Sequence, residues 1–557
     1  MDSREPIPYT RFACIGAGPS GIGLGATLRR WYGHKDVDLS IRIFERGSAC
    51  GGTWQANAYP GAACDIPSAL YSLSYESNPD WSRVLPPARE LRDYLVRVAD
   101  KYDLQPHMRY GVEAKHCEWR ETDKRWRLTL QDVKTGTVFH HECQFLFSAV
   151  GQLVTPRELD IPGAETFTGT ILHSARWSHD DEQGNPDIKD KRVIVIGNGC
   201  TGTQIVPTIA PKARHVTQLV RSRHWICPPI DKATVPLMRF INRWVPFAML
   251  IQRVLLYRAL EGFIRGYPLT TAGQKFRNWQ RETITRYMKS AAPEKYHDIL
   301  VPDFEVGCKR RIFDAGYLDS LHRDNVTLTD ERGLEVVPGG IRTATGVIEA
   351  DVIIVANGFR TNSPMHGLEV VGRDGETIDE HWASFGGPEA YNCTLLSGFP
   401  NFFMLLGPNT VNGHSSSIIA SENAVNYSLR LLRPILGDGQ ERSTVEVQRD
   451  AEEDYVREIQ AALRRTVWSL GCGNWYARRH GQGEEGEWNA STYPWKQAYF
   501  WYACLFPTWE HLTYEVSHWC SSGRAVYANM CNRNHQTRML RRAAQPAVHT
   551  SWPWLSV

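Results

Sequence analysis

Two glycine triplets of identical spacing, Gly16-Ala-Gly18-Pro-Ser-Gly21 and Gly197-Asn-Gly199-Cys-Thr-Gly202, are the residues of this chain that most directly suggest chemistry. Each follows an apolar run, 12–15 and 192–196, and each opens a segment of helical character. In that setting the first glycine allows a tight turn, the second lets backbone approach a pyrophosphate, and the third lets helix pack closely on strand. The helix N-terminus then faces the phosphates. Two such units predict two dinucleotides. The residue ending the second strand of each unit distinguishes them: the run 40–44 ends in Glu45, whereas the run 215–220 ends in Arg221. A carboxylate suits a free ribose hydroxyl, and a guanidinium suits a 2′-phosphate, so the second loop is read as an NADPH site. The alternative for Arg221 and Arg223 is a solvated basic turn.

A free-ribose cofactor beside NADPH is read as FAD, since NAD has little use as a hydride acceptor in the same site. Reduced flavin can pass electrons to a disulfide, to an acceptor protein or to oxygen. The first route needs a redox cysteine pair, and the thirteen cysteines contain no Cys-x-x-Cys. Cys50 and Cys64 read as packed thiols, and the remaining spacings suit neither a metal site nor a disulfide framework. Reduced intracellular thiols, no metal, and oxygen chemistry are the expectations.

Two further stretches lie between the loops: Gly51-Gly52-Thr53-Trp54 with Tyr59-Pro60-Gly61 and Asp65, and FTGTILHSARW at 167–177. Together they resemble the Baeyer–Villiger-type flavoprotein monooxygenases, which depend on FAD and NADPH. The family pattern Phe-x-Gly-x-x-x-His-x-x-x-Trp is met by Phe167, Gly169, His173 and Trp177, with Ser178 where the family has Pro or Asp. Its earlier signature is met by Gly52, Trp54, Tyr59, Pro60, Gly61 and Asp65. Downstream, 307–311 resembles a segment whose Lys-Arg pair enters the active site, and 351–359 a strand-turn with Asn357 in place of threonine. Stretches 398–401 and 406–409 resemble the return to the flavin domain, and 472–476 a loop with a tryptophan over the nicotinamide cofactor.

The resemblance implies cofactor contacts from Gly52, Thr53, Trp54, Asp65 and Tyr71 beside Gly16, Gly18, Gly21 and Glu45. It implies the same for Gly197, Gly199, Thr201, Gly202 and Trp475, with Lys309 joining Arg221 at the 2′-phosphate. Arg310 is the implied catalytic residue, stabilising the anions of the reaction, with Asp65 as its charge partner. His173 is implied to brace a hinge between the two domains, the residue-level alternative being a satisfied buried histidine. The implied reaction inserts one atom of O2 beside a ketone carbonyl, giving an ester or lactone. A related flavin monooxygenase that oxidises nitrogen, sulfur or carbon, and an NADPH oxidase that does not oxygenate, are the alternatives; Ala63 and Ser178 depart from the family and leave altered activity open.

These residues need an α/β scaffold with two Rossmann-like dinucleotide-binding domains. At 557 residues the chain is long enough for several cores. An FAD domain is expected over 1–150, completed by 386–470, and an NADPH domain over 151–385 with a helical insertion at 226–304. A C-terminal extension occupies 471–557. The stretch 167–177 shows neither helical nor strand period and reads as linker. Sixty-three Lys+Arg against sixty-one Asp+Glu provide no field for nucleic acid. The charged N-terminus carries no secretory pattern, so a cytoplasmic protein is expected. The apolar run from 244 is broken by Pro246 and Arg253, too short to span a membrane; it reads as a helix buried in protein or lying on a surface, which leaves peripheral membrane contact open. The tryptophans of the extension read as packing, and Arg538–Arg542 as solvated charge. A bulky, apolar ketone and O2 are the expected small-molecule partners; oligomeric state is not legible.

Overall fold

The computed structural model of the protein describes residues 6–35, 37–179, 185–361, 363–411, 413–437, 439–473, 476–478 and 488–516. Trp475, Trp519 and the 538–542 arginine stretch, all singled out by the sequence, lie outside the described residues.

The alternation of apolar strands and helices resolves into two main sheets. Tyr9–Ile15 runs into the first glycine loop, pairs in parallel with Ile41–Glu45, with Phe12 opposite Ile41, and on its other side with Val138–Ser148. The antiparallel pair Val112–Arg120 and Arg125–Asp132 continues the sheet from there. Buried and part-exposed positions alternate along Arg125–Asp132, as expected where only one face is packed. Phe402–Met404 also pairs in parallel with Val138–Ser148, so the chain returns to this sheet after building the second.

The second sheet is wholly parallel, in the order Val326–Thr329, His215–Leu219, Arg192–Ile196, Val352–Val355, Thr170–His173. Its central residues Val193, Ile194, Val195, Ile353 and Ile354 are buried. A parallel sheet covered on both faces needs such unbroken apolar runs. The reading of 167–177 as linker is corrected here: Thr170–His173 is the edge strand of this sheet, paired with Val352–Val355, and Ser174–Arg176 forms a 3-10 turn. Four residues are too few to display a period, and Gly169 breaks the pattern for a packing reason. A Cβ at Gly169 would lie 2.2 Å from the Asp351 carbonyl oxygen.

Residues 226–304 hold the helices Pro236–Trp244, Ala248–Glu261 and Thr271–Ala291. Pro246 separates the first two, where an interior proline would remove a helical hydrogen bond. No helix among the described residues is long and apolar enough to cross a membrane.

The expectation that all thirteen thiols stay reduced is also corrected: Cys308 and Cys472 are joined by a disulfide across a sequence separation of 164. Such a distant pair leaves no local spacing to read. Gly307 and Gly473, both at positive φ, turn the two backbones beside it. The nine described free cysteines are buried, apart from half-buried Cys200.

Candidate active site

Both glycine loops open into one cleft of about 1840 Å³. At the first, Gly16 adopts φ +109°, and a Cβ there would lie 2.4 Å from the Ala149 carbonyl oxygen. A Cβ on Gly21 would meet the Gly16 carbonyl oxygen at 2.1 Å. Gly197 and Gly202 repeat both constraints, against Ala356 and Gly197. Gly21 and Gly202 therefore set helix against loop behind the cleft, whereas Gly16, Gly18, Gly197, Gly199 and Thr201 line it. The helices Pro19–Tyr32 and Cys200–Ile209 begin here with no side-chain cap and no acidic residue in the first turn. Their leading N–H groups and positive dipole ends are thus left for an anion. Nothing lies within 4 Å of where a Gly199 Cβ would stand, the space a pyrophosphate would take.

Glu45 ends its strand at the cleft, where Oε2 accepts from the Ala17 N–H at 2.8 Å and Oε1 from the Gly47 N–H at 2.7 Å. This fixes a carboxylate where a ribose hydroxyl would donate. Gly52, at φ +56°, leaves only 2.7 Å between its would-be Cβ and the Gly18 Cα, so the two glycine stretches touch backbone to backbone. Thr53 and Trp54 then line the wall, with the indole edge-on to Tyr71 at 5.4 Å. The Tyr71 hydroxyl lies 3.2 Å from Ser417 Oγ.

On the wall of the same cleft, Arg310 donates through Nε to Asp65 Oδ2 at 2.5 Å and through Nη2 to Oδ1 at 2.7 Å. Burial by itself would raise the Asp65 carboxyl, but the guanidinium more than offsets it and holds the acid below its usual range. Burial would likewise lower Arg310, and Asp65 holds it well above the ordinary arginine value. The pair is therefore ionised across the physiological range, and the fork geometry sets the guanidinium plane. Lys309 is buried, with its ammonium 4.8 Å from the Phe304 ring centroid. Burial, then Arg221, lower its pKa. Arg221 is 71% exposed at the cleft and pairs with Asp160 at 3.0 Å. An exposed pair of this kind is weak enough to exchange for a phosphate. His224, also lining the cleft, is pushed down to about 4 by burial and then by Lys309, so it is neutral.

His173 accepts the Ala175 N–H at Nδ1, 3.0 Å away, which leaves Nε2–H to donate to Asn357 Oδ1 at 3.2 Å. Burial lowers its pKa. Asn357 in turn donates to the Glu158 carbonyl at 2.9 Å, joining the edge strand, the strand-turn at 357 and the 158 segment. Several lining residues carried no readable motif. Gln204 accepts from the Tyr59 hydroxyl at 2.9 Å and donates to the Ala63 carbonyl at 3.1 Å. A Cβ on Gly61 would lie 2.4 Å from the Gln204 carbonyl oxygen. The Tyr59-Pro60-Gly61 stretch thus clamps the first unit onto the helix that leaves the second glycine loop. Ser415, Ser416 and Ser417 also line the cleft; the triple hydroxyl run 415–417 just beyond Asn409 is the signal that would have found them.

Known proteins resemble this chain over most of its length. A family model described as pyridine nucleotide-disulphide oxidoreductase matches residues 10–239. A Baeyer-Villiger monooxygenase of Streptomyces coelicolor is 34% identical over 480 residues, covering 85% of this chain and 88% of that protein. One of Pseudomonas aeruginosa is 36% identical, covering 85% and 87%. The crystal structure of an OTEMO complex with FAD and NADP superposes with a TM-score of 0.78, covering 92% of this chain and all of that one at 24% identity, which speaks for the fold. With two glycine-loop units on one cleft and relatives of this identity across most of its length, the chain belongs to the Baeyer–Villiger-type flavoprotein monooxygenases.

Proposed function

We propose that the protein binds FAD at the first glycine loop and NADPH at the second, and inserts one atom of O2 beside the carbonyl of a bulky, apolar ketone to give an ester or lactone. The observation that carries this reading is the Asp65–Arg310 fork on the wall of the cleft both loops share. Once bound, the two cofactors supply hydride transfer and the activation of oxygen. Arg310 has committed Nε and Nη2 to Asp65, and its permanent charge and Nη1 hydrogens stabilise negative charge that develops on the substrate oxygen. Asp65 orients that guanidinium. Glu45 receives the ribose of the first cofactor. Arg221 exchanges Asp160 for the 2′-phosphate of the second, with Lys309 beside it. The His173–Asn357 bond braces the junction as the two units shift. Ile66, Tyr71, Ile299, Phe304 and Leu406 on the cleft wall favour an apolar substrate frame.

The test is mass spectrometry of products from a ketone panel under labelled oxygen. Esters carrying a single labelled atom support the reading. Hydrogen peroxide in stoichiometric amount with every ketone, or, when amines and sulfides are added to the panel, label found only in N- or S-oxides, overturns it.

Nicotinamide selectivity gives a separate prediction. Charge-assisted contacts contribute about 1.5–3 kcal/mol, so Arg221→Ala should raise the KM for NADPH by roughly ten- to a hundredfold and leave that for NADH nearly unchanged. Steady-state assays with both cofactors check this; equal losses for both would place Arg221 in folding instead.

A further inference from the structure

The helices Pro236–Trp244 and Ala248–Glu261 carry apolar side chains out to the surface. On the second, Leu256, Tyr257 and Leu260 pack against the core beside inward Gln252 and Arg253, while Leu250, Ile251, Val254 and Leu255 are exposed on the other side together with Arg258. A helix whose outer face met only water would carry polar residues at those four apolar positions. Leu237, Phe240 and Trp244 continue the apolar surface on the first helix, with Leu237 and Trp244 both 67% exposed. At the turn between them Phe247 is 73% exposed and sits at φ +62°, a backbone region where asparagine or glycine would be expected. The polar side chains fasten the hairpin from below. Arg253 Nη1 donates to the carbonyl oxygens of Ala69 at 2.8 Å and Ser72 at 3.0 Å. Arg243 pairs with Asp80 at 2.5 Å.

Charge identifies the occupant. Of the cations on the hairpin, Arg253 is turned inward and Arg243 is paired with Asp80, whereas Lys232 and Arg258 are exposed; Asp231 and Glu261, at the two ends, are engaged by Arg83 and His414. A two-fold dimer through this face would set Lys232 and Arg258 against their own copies, with no exposed Asp or Glu on the hairpin to meet them. An anionic surface is complementary to it, and an aromatic pair at the tip of a basic, outwardly apolar hairpin suits the boundary between headgroups and acyl chains. We propose that the hairpin of Pro236–Trp244 and Ala248–Glu261 is a peripheral membrane anchor, its apolar face seated in the headgroup region of an anionic phospholipid bilayer.

The experiment is flotation of the purified, FAD-loaded protein with phosphatidylcholine vesicles, alone or with about 30% phosphatidylserine. Wild type should float with the mixed vesicles, less so in high salt, and poorly with phosphatidylcholine alone. Phe247→Asn, which suits the left-handed backbone, combined with Ile251→Gln should weaken partitioning by about tenfold or more, with flavin absorbance and NADPH oxidation retained. Absence of wild-type flotation with either vesicle overturns the proposal, as does equal binding by the variant. A wild-type dimer that becomes monomeric in the variant, without vesicle binding, assigns the face to self-association instead. Should the double variant fail to fold, the lipid and salt dependence of wild type decides.

Discussion

Arg310→Ala is expected to lower ester formation by about a thousandfold, the upper range for removing a donor aimed at developing negative charge, while anaerobic reduction of the flavin by NADPH stays within about tenfold of wild type. The two half-reactions separate because hydride transfer needs only aligned cofactors. Oxygen insertion needs a fixed positive charge where negative charge appears, the role proposed for the Asp65–Arg310 fork. Stopped-flow reduction beside product analysis measures both. NADPH consumption in the variant should drain to hydrogen peroxide or stall. Asp65→Ala should fall between, since the guanidinium remains but its plane is no longer set. Near-normal product from Arg310→Ala with intact reduction would remove Arg310 from the oxygenation step and turn the reading toward heteroatom oxidation.

Gly18→Val should weaken FAD binding by roughly a hundred- to ten-thousandfold and give a colourless protein. Two losses combine. The Gly18 Cβ would stand 3.4 Å from the Gly52 Cα, so a branched side chain overpacks the contact between the glycine stretches, at about 1–3 kcal/mol. Its methyl groups would also keep the pyrophosphate from the N–H groups of the Pro19–Tyr32 helix, each charge-assisted bond being worth about 1.5–3 kcal/mol. Flavin absorbance after purification and fluorescence titration of the apoprotein measure the loss, with circular dichroism to establish that the variant is folded. A yellow variant with unchanged affinity would place the pyrophosphate elsewhere.

The parts of this protein that its sequence determined by itself are those governed by local backbone geometry. The glycine triplets demand the same turn wherever they occur after a strand, and Gly16 and Gly197 adopt nearly the same φ of +109° and +111°. The stretches directly before them, 12–15 and 193–196, are apolar without interruption because both faces of such a sheet are covered. Tertiary structure alone decided what came together across long separations. The cysteine spacing could not disclose Cys308–Cys472, since a disulfide depends on where two backbones pass and not on how many residues lie between them. The strand Thr170–His173 was hidden in an aperiodic stretch because its pairing comes from Val352–Val355 rather than from a neighbour in sequence. Asp160, His224 and Gln204 have no motif, and their membership of the cleft follows from packing. The outward apolar face of the 248–261 helix shows the same limit from the other side: periodicity places Leu250, Ile251, Val254 and Leu255 on one stripe, but only the fold determines that Arg253 is held inward by two carbonyls and that this stripe faces out.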